Sequence, residues 1–187
     1  FQMDPVSTLN HSTDSTLPMI LESQKRKNQN YIFSPSSLTF KKSSLYAQAK
    51  EIKFKNDKLN SYTLSSEKKL NLNSLNYIFI RQDPPYDMEY ISSMHLLEQL
   101  SEKTKVVNSP SGIRNAPEKI LMLKFKNIIP PTLITRSKKE IDRFMNSYKK
   151  SVIKPLYGNG GQGIFLLDKN DKNYNQIIEK FIDEENT

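Results

Sequence analysis

Val152-Ile153-Lys154-Pro155-Leu156-Tyr157-Gly158-Asn159-Gly160-Gly161-Gln162-Gly163-Ile164-Phe165 holds four of the five glycines in the chain. A two-residue hairpin needs one or two glycines. Four of them between short apolar runs predict a loop joining two strands, whose backbone N–H groups can close round an anion. Gly158-x-Gly160-x-x-Gly163 has the letters of the dinucleotide-binding fingerprint, but that fingerprint opens a helix. Ile164-Phe165-Leu166-Leu167 reads as a strand instead. No Lys-Ser or Lys-Thr follows Gly163, so the P-loop pattern is absent as well. The better physical analogy is the glycine-rich hairpin that covers a nucleotide in kinases.

Lys154 stands just before this loop in an apolar segment. Lysine is seldom buried without a partner. A nucleotide phosphate would be one; the alternative is the outer face of an edge strand, which Pro155 would suit. Working outward, Lys138 to Lys149 carries Ile141, Phe144, Met145 and Tyr148 at helical spacing, and Ile177, Ile178, Phe181 and Ile182 define a last helix from about Tyr174. Pro130-Pro131 interrupts the chain, and Thr132-Leu133-Ile134-Thr135 reads as a strand. Asn115-x-x-Glu118 fits a capping box opening a helix. Lys119 lies in its first turns, where solvent exposure is the plain reading.

Toward the N-terminus, Phe1-Gln2-Met3 reads as the end of a strand. Asp14 caps a helix with Leu17, Ile20 and Leu21 on its inner face. Tyr31-Ile32-Phe33, Leu45 to Ala49, Glu51 to Phe54, Ser61 to Leu64 and Leu75 to Ile80 read as strands. A helix over 88–103 presents Tyr90, Ile91, Met94, Leu97 and Leu100, and Val106-Val107 is a further strand. This alternation predicts an α/β fold with helices packed on a parallel sheet.

Composition narrows the function. The 187 residues carry 28 Lys and Arg against 20 Asp and Glu, a net charge of +8. The positive residues are dispersed beside Asn and Ile, with no block of like charge and no basic stripe interleaved with aromatics, which argues against nucleic-acid binding. There is no cysteine, so disulfides and thiolate metal sites are excluded and a cytoplasmic setting suits the chain. His11 and His95 have no ligand spacing. No apolar run approaches the roughly 18 residues of a membrane helix.

Three segments together resemble the prokaryotic glutathione synthetase family, whose fold is ATP-grasp. Phe79-Ile80-Arg81-Gln82-Asp83-Pro84-Pro85-Tyr86-Asp87-Met88-Glu89-Tyr90 is similar to its Arg-Lys-Asp-Pro-Pro-Phe-Asp-x-Glu-Tyr stretch. Val106-Val107-Asn108-Ser109-Pro110, Arg114, Glu118-Lys119 and Pro131-Thr132-Leu133-Ile134-Thr135-Arg136 follow in the family's order. Val152 to Phe165 resembles its Leu-Lys-Pro-Leu-Asp-Gly-x-Gly-Gly segment. Met3-Asp4-Pro5 and Asp14-Ser15-Thr16 add a weaker match, and 34–74 adds little.

The resemblance implies a Rossmann-like parallel-sheet substrate domain over 1–118. The start of an ATP-grasp α+β nucleotide-binding domain follows over 119–187, with its C-terminal part missing. It implies a carboxylate–amine ligase that joins γ-glutamylcysteine to glycine with ATP and Mg²⁺, in a cytoplasmic homotetramer. Carried over by residue, Lys119 and Lys154 contact ATP phosphates, Lys154 as the catalytic group, under a lid of Gly158, Gly160, Gly161 and Gly163. Arg81, Asp4 and Asn10 face γ-glutamylcysteine. The family's Mg²⁺ ligands fall beyond residue 187, so the 187-residue chain alone is expected to be inactive. Departures are Tyr157 for the usual Asp, Asn159 for Met, Gln82 for Lys and Pro117 for Asn. The alternatives are another ATP-grasp ligase, a non-catalytic basic binding module, or a decayed gene product without function.

Overall fold

The computed structural model describes residues 1–56, 58–157 and 160–184. They fall into two units, Phe1–Ala116 and Pro117–Thr187.

In the first unit, α1 (Thr16–Lys25) starts where Asp14 puts it. Asp14 Oδ1 accepts from the backbone N–H of Thr16 at 2.9 Å and of Leu17 at 2.8 Å. Two N–H groups that the helix itself leaves unpaired are thereby satisfied. Leu17, Ile20 and Leu21 then bury in one cluster with Phe1, Met3, Ile52 and Phe54.

Five strands follow: β1 (Tyr31–Ile32), β2 (Thr39–Lys41), β3 (Ser44–Phe54), β4 (Tyr62–Leu64) and β5 (Lys68–Asn71). β3 pairs antiparallel with each of the other four. The sequence pattern divides β3 into two pieces; the structure makes it one strand of 11 residues. The reason is a change of phase. Leu45, Ala47 and Ala49 are buried in one cluster, whereas Ile52 and Phe54 are buried in the other. Side chains alternate faces along a strand. Odd positions before Lys50 and even positions after Glu51 therefore place the two halves in different cores.

β6 (Tyr77–Phe79) and β7 (Lys105–Val107) pair in parallel. Gln2 bridges in parallel to Phe33 on one side and Ile80 on the other. The resulting layer runs Phe33, Gln2, Ile80 with β6, then β7. It is the parallel arrangement implied by the alternating segments, with an antiparallel sheet inserted between Phe33 and Tyr77. α2 (Met88–Leu97) opens on Asp87, whose Oδ1 accepts from Tyr90 N at 2.9 Å, and buries Met94 and Leu97 against Ile78 and Ile80. It stops six residues short of the predicted end. Thr104 is buried and its hydroxyl donates to the carbonyls of Leu72 and Leu75, so the chain must already have turned to enter β7.

Asn115 ends a helix instead of starting one: α3 (Pro110–Asn115) begins at the cap Ser109, whose Oγ accepts from Gly112 N at 3.2 Å. Ala116, at φ −127° and ψ 57°, leaves helical geometry, as a residue before proline is driven to do. In the second unit α4 (Glu118–Leu121) restarts after Pro117, without a side-chain cap from Asn115.

α5 (Lys138–Tyr148), β8 (Lys150–Ile153), β9 (Phe165–Asp168) and α6 (Tyr174–Glu184) complete the second unit. β8 and β9 are antiparallel, as the glycine loop between two apolar runs predicts. Met145, Leu167, Tyr174 and Ile178 bury together, with Ile141, Ile153 and Ile177 packed on them. Thr132 to Thr135 pairs with no strand among the described residues. Instead Thr132 Oγ1 donates to Pro130 O at 2.8 Å and Thr135 Oγ1 accepts from Ser137 N at 3.0 Å. Local hydroxyl bonds of this kind compete with ladder pairing.

Candidate functional site

The hairpin of the second unit sets the first group of residues. Exposure alternates at the end of β8: Val152 and Lys154 are exposed, while Ile153 turns toward α5 and α6. Lys154 is the first residue past the strand, and Pro155 has no N–H to extend the ladder. Lys119, delivered by α4, donates from Nζ to the Pro155 carbonyl at 2.6 Å. Lys119 thus reaches the backbone carbonyl of the residue that follows Lys154, 36 positions along the chain.

The glycine loop closes against the same proline. Gly163 has φ +69°, and a Cβ built there would lie 2.8 Å from Pro155 Cγ. Both the backbone conformation and the close approach require glycine. Gly160 and Gly161 also have positive φ but open space around them. Gly158 lies outside the described residues. Tyr157 is half exposed. Ammonium groups, N–H donors and an open loop form a donor set suited to phosphate oxygens.

Beside Lys154, the outer face of the hairpin carries Val152 and Leu166, which are register partners and 61% and 65% exposed. Lys150 pairs with Asp168 at 3.3 Å on the adjoining pair of positions.

The first unit builds a second group where its parallel segments end. Arg81 follows Ile80, and its backbone N–H donates to Gln2 O at 2.7 Å. Its guanidinium donates from Nε to Thr16 Oγ1 at 3.1 Å and from Nη2 to Ser15 Oγ at 2.7 Å. Asp4 follows the bridge at Gln2, and its Oδ2 accepts from Asp83 N at 2.6 Å. Gln2, fully buried, donates from Nε2 to Gln82 Oε1; its own Oε1 accepts nothing among the described residues. Tyr90 sits amid these charges. Burial raises its phenol above the ordinary tyrosine range, Tyr86, Asp4 and Asp83 add to the rise, and Arg81 opposes it. Ligands of open parallel sheets bind in the crevice beyond the strands' carboxyl ends, which is where these residues lie.

Asn10 bonds within its own loop. Its Oδ1 accepts from Ser12 N at 3.1 Å and Ser12 Oγ at 2.7 Å, which organises the loop leading to Asp14. Ser15 and Thr16, the partners of Arg81, are the residues that sequence reasoning did not single out for the site. Their place in the Asp14-Ser15-Thr16 match was the available signal, but their bond to a residue 65 positions away was not visible. Among the described residues no group of three or more His, Cys, Asp or Glu could hold a metal ion, and no helix is long and apolar enough to cross a membrane.

A mixed α/β chain with two lysines converging on a glycine hairpin has the layout of the ATP-grasp class. Residues 1–114 match the prokaryotic glutathione synthetase N-terminal domain, and residues 118–187 match the ATP-grasp domain of the same enzymes. The chain belongs to the prokaryotic glutathione synthetase family. It is 41% identical over 180 residues to the glutathione synthetase of Agrobacterium fabrum and 39% identical over 180 residues to that of Brucella melitensis. It is 36% identical over 179 residues to that of Buchnera aphidicola subsp. Baizongia pistaciae. These alignments take in 96%, 96% and 95% of this chain and 56%, 58% and 55% of the relatives. The chain spans about half the length of the curated relatives it matches.

Proposed function

We propose that the protein to which this chain belongs is a glutathione synthase, joining γ-glutamylcysteine and glycine at the expense of ATP. The observation that carries the reading is the meeting of Lys119 and Lys154 at Pro155 beside the glycine loop, in a chain whose two matched regions come from one synthetase family. On this reading residues 1–118 hold the peptide and residues 119–187 contribute to nucleotide binding.

A carboxylate is a poor electrophile because its charge is delocalised and its leaving group would be oxide. Transfer of the ATP γ-phosphoryl to the cysteinyl carboxylate gives an acyl phosphate and ADP. The glycine amine then attacks the acyl carbon, loses a proton, and expels phosphate as the amide forms. Transition-state charge in the first step spreads over phosphoryl oxygens, so catalysis is mostly positioning and electrostatic stabilisation. Lys154 and Lys119 supply cationic donors, and the N–H groups around Gly160, Gly161 and Gly163 supply neutral ones. The family resemblance assigns Gly158, outside the described residues, to the same role. The described residues offer no ligand cluster for Mg²⁺, so no step is assigned to the metal, although the reaction class uses it.

Arg81, Asp4 and Asn10 are assigned to the γ-glutamylcysteine side. A cytoplasmic setting accompanies the reading, since a reducing compartment keeps a thiol substrate reduced; the homotetramer is what the family resemblance implies, and light scattering on the full-length protein tests it. ADP release by that protein tests the function, with ATP, Mg²⁺, γ-glutamylcysteine and glycine present and each omitted in turn. Release requiring all of them, with glutathione appearing, supports it. Release with other amino acids alone keeps the ligase and changes the substrate; absence of ATP binding overturns the reading.

A further inference from the structure

Residues 81–86, between Ile80 and the cap of α2, form neither helix nor ladder, and side-chain bonds hold them at both ends. Near the start, Asp83 N donates to Asp4 Oδ2 at 2.6 Å and Gln82 accepts from the buried Gln2. At the finish, the Tyr86 hydroxyl donates to the carbonyl of Arg114 at 2.7 Å, with that of Ile113 at 3.5 Å. The Tyr86 ring lies 5.4 Å from that of Tyr90, so α2 braces it. The family's stretch has Phe at this position, which offers the ring but no donor. The acceptors lie where a donor is needed. Ile113 and Arg114 belong to the last turn of α3, whose carbonyls find no partner within the helix. In a continuing helix the N–H four residues on would serve; for Ile113 that residue is Pro117, which has none. The Tyr86 hydroxyl therefore fixes the exit of α3. Ala116 then leaves helical geometry, Pro117 opens the second unit, and Lys119 follows two residues later. Element ends of this kind are where a chain absorbs a change of φ and ψ.

One end of this segment thus carries Arg81, assigned to the peptide. The other end holds the exit of α3, which leads to Lys119, assigned to the nucleotide. We propose that Tyr86 is a positioning residue that couples the two ligands. Peptide bound beside Arg81 fixes the segment, the Tyr86 hydroxyl carries that order to the Arg114 carbonyl, and the chain entering α4 is set for ATP at a lower ordering cost. γ-Glutamylcysteine then tightens ATP binding, and by linkage ATP tightens peptide binding by the same factor. Glu98 makes a separate tie to α3: its Oε1 accepts from Arg114 Nη2 at 2.8 Å, so it holds the side chain of Arg114 and not the carbonyl. This inference rests on the proposed function, and adds to it a route between its two binding sides.

The test uses the full-length protein with Mg²⁺ and the non-hydrolysable ATP analogue AMP-PNP, so that no phosphoryl group is transferred. Calorimetry gives the affinity for the analogue without and with saturating γ-glutamylcysteine, and the affinity for the peptide without and with saturating analogue. In the unaltered protein each ligand is expected to tighten the other about 10-fold. Tyr86→Phe keeps the ring and removes only the donor. It should cut both coupling factors about fivefold, the effect of losing one hydrogen bond, and leave each ligand's affinity when bound alone within about twofold. Glu98→Gln weakens the other tie to α3 and should leave the coupling within about twofold; thermal unfolding checks that both variants are folded. Unchanged coupling in Tyr86→Phe, or no coupling in the unaltered protein, would overturn the inference and leave the synthase reading standing. So would an analogue affinity that falls equally with and without peptide. An equal loss of coupling in Glu98→Gln would overturn it too, by assigning the effect to general support of α3. If the unaltered protein binds neither ligand, the function and the coupling fall together.

Discussion

The two groups of residues differ in how they are held. Arg81 and Asp4 in the first unit are fixed by side-chain bonds to Ser15, Thr16 and the Asp83 N–H, above a unit with two buried clusters. Lys154 in the second unit is exposed, next to a loop with open space around Gly160 and Gly161. That unit buries only Met145, Leu167, Tyr174 and Ile178 among its described residues. A site for a peptide head benefits from preorganisation, because each side chain fixed before binding removes an ordering cost. A loop over a nucleotide must instead admit and release it, and such segments come from the least stable parts of a fold.

Lysine substitution should expose the largest difference. Lys154→Ala in the full-length protein is expected to lower kcat about 100- to 1,000-fold, the usual effect of deleting one donor aimed at transition-state charge. Its affinity for γ-glutamylcysteine should stay within about twofold. Lys119→Ala should act in the same direction and also leave the Pro155 carbonyl without its 2.6 Å donor. Single-turnover phosphoryl transfer and peptide calorimetry separate the two effects. A peptide-affinity loss equal to the rate loss would remove the division of labour.

Core truncation comes next. Leu97→Ala in the first unit and Ile178→Ala in the second each delete a fully buried side chain and should cost about 2–5 kcal/mol. The smaller core should feel the loss more. In Ile178→Ala, hydrogen exchange in α5, α6 and the hairpin should accelerate while β3 and α2 stay protected. Uniform acceleration would mean that the two units unfold together.

The glycines sharpen the contrast within the loop itself. Gly163→Ala meets both a positive φ and the Pro155 ring, whereas Gly160→Ala meets the positive φ alone. A left-handed backbone costs a non-glycine residue about 1–2 kcal/mol. The clash should take Gly163→Ala to about 3 kcal/mol. Thermal unfolding of the second unit in the two variants checks the order.

The sequence displays local features more clearly than distant ones. The hairpin was legible because four glycines between apolar runs have few other uses, and Asp14 was legible because a cap acts within three residues. In the sequence β3 reads as two strands because its buried face changes at Lys50-Glu51, which mimics a break in a period-2 pattern. Thr132 to Thr135 has strand composition, yet its hydroxyls bond locally. The capping box at Asn115 failed because Pro117 dictates the conformation of Ala116. Lys119 drew attention only through the family resemblance; its meeting with Pro155 spans 36 positions and belongs to tertiary structure. The bonds from Ser15 and Thr16 to Arg81 were hidden for the same reason.

The smallest expected effect concerns pH and belongs to the second unit. Tyr174 donates from its hydroxyl to Asp142 Oδ1 at 2.8 Å. That bond, with Lys138 beside it, holds the Asp142 carboxyl below the usual aspartate range against the opposing effect of burial. Burial first, and then Asp142, pushes the Tyr174 phenol up to about 12. The signs follow separately. The depressed carboxylate stabilises the fold above its unfolded pKa of about 4, and that contribution is lost as pH falls through the folded value. The raised phenol stabilises the fold below its unfolded pKa of about 10, and that contribution is lost as pH rises through about 12. Tyr174→Phe keeps the ring in the core and removes the bond. It should cost less than about 1 kcal/mol near pH 7, because Asp142 is partly solvated. The difference from the unaltered protein should shrink below about pH 4, and the Asp142 carboxyl resonance should titrate at higher pH in the variant. A difference that persists unchanged through that range would assign the effect to packing of the tyrosine oxygen instead of the carboxylate. The first unit's α2 amides, followed in the same titration, should not distinguish the two proteins.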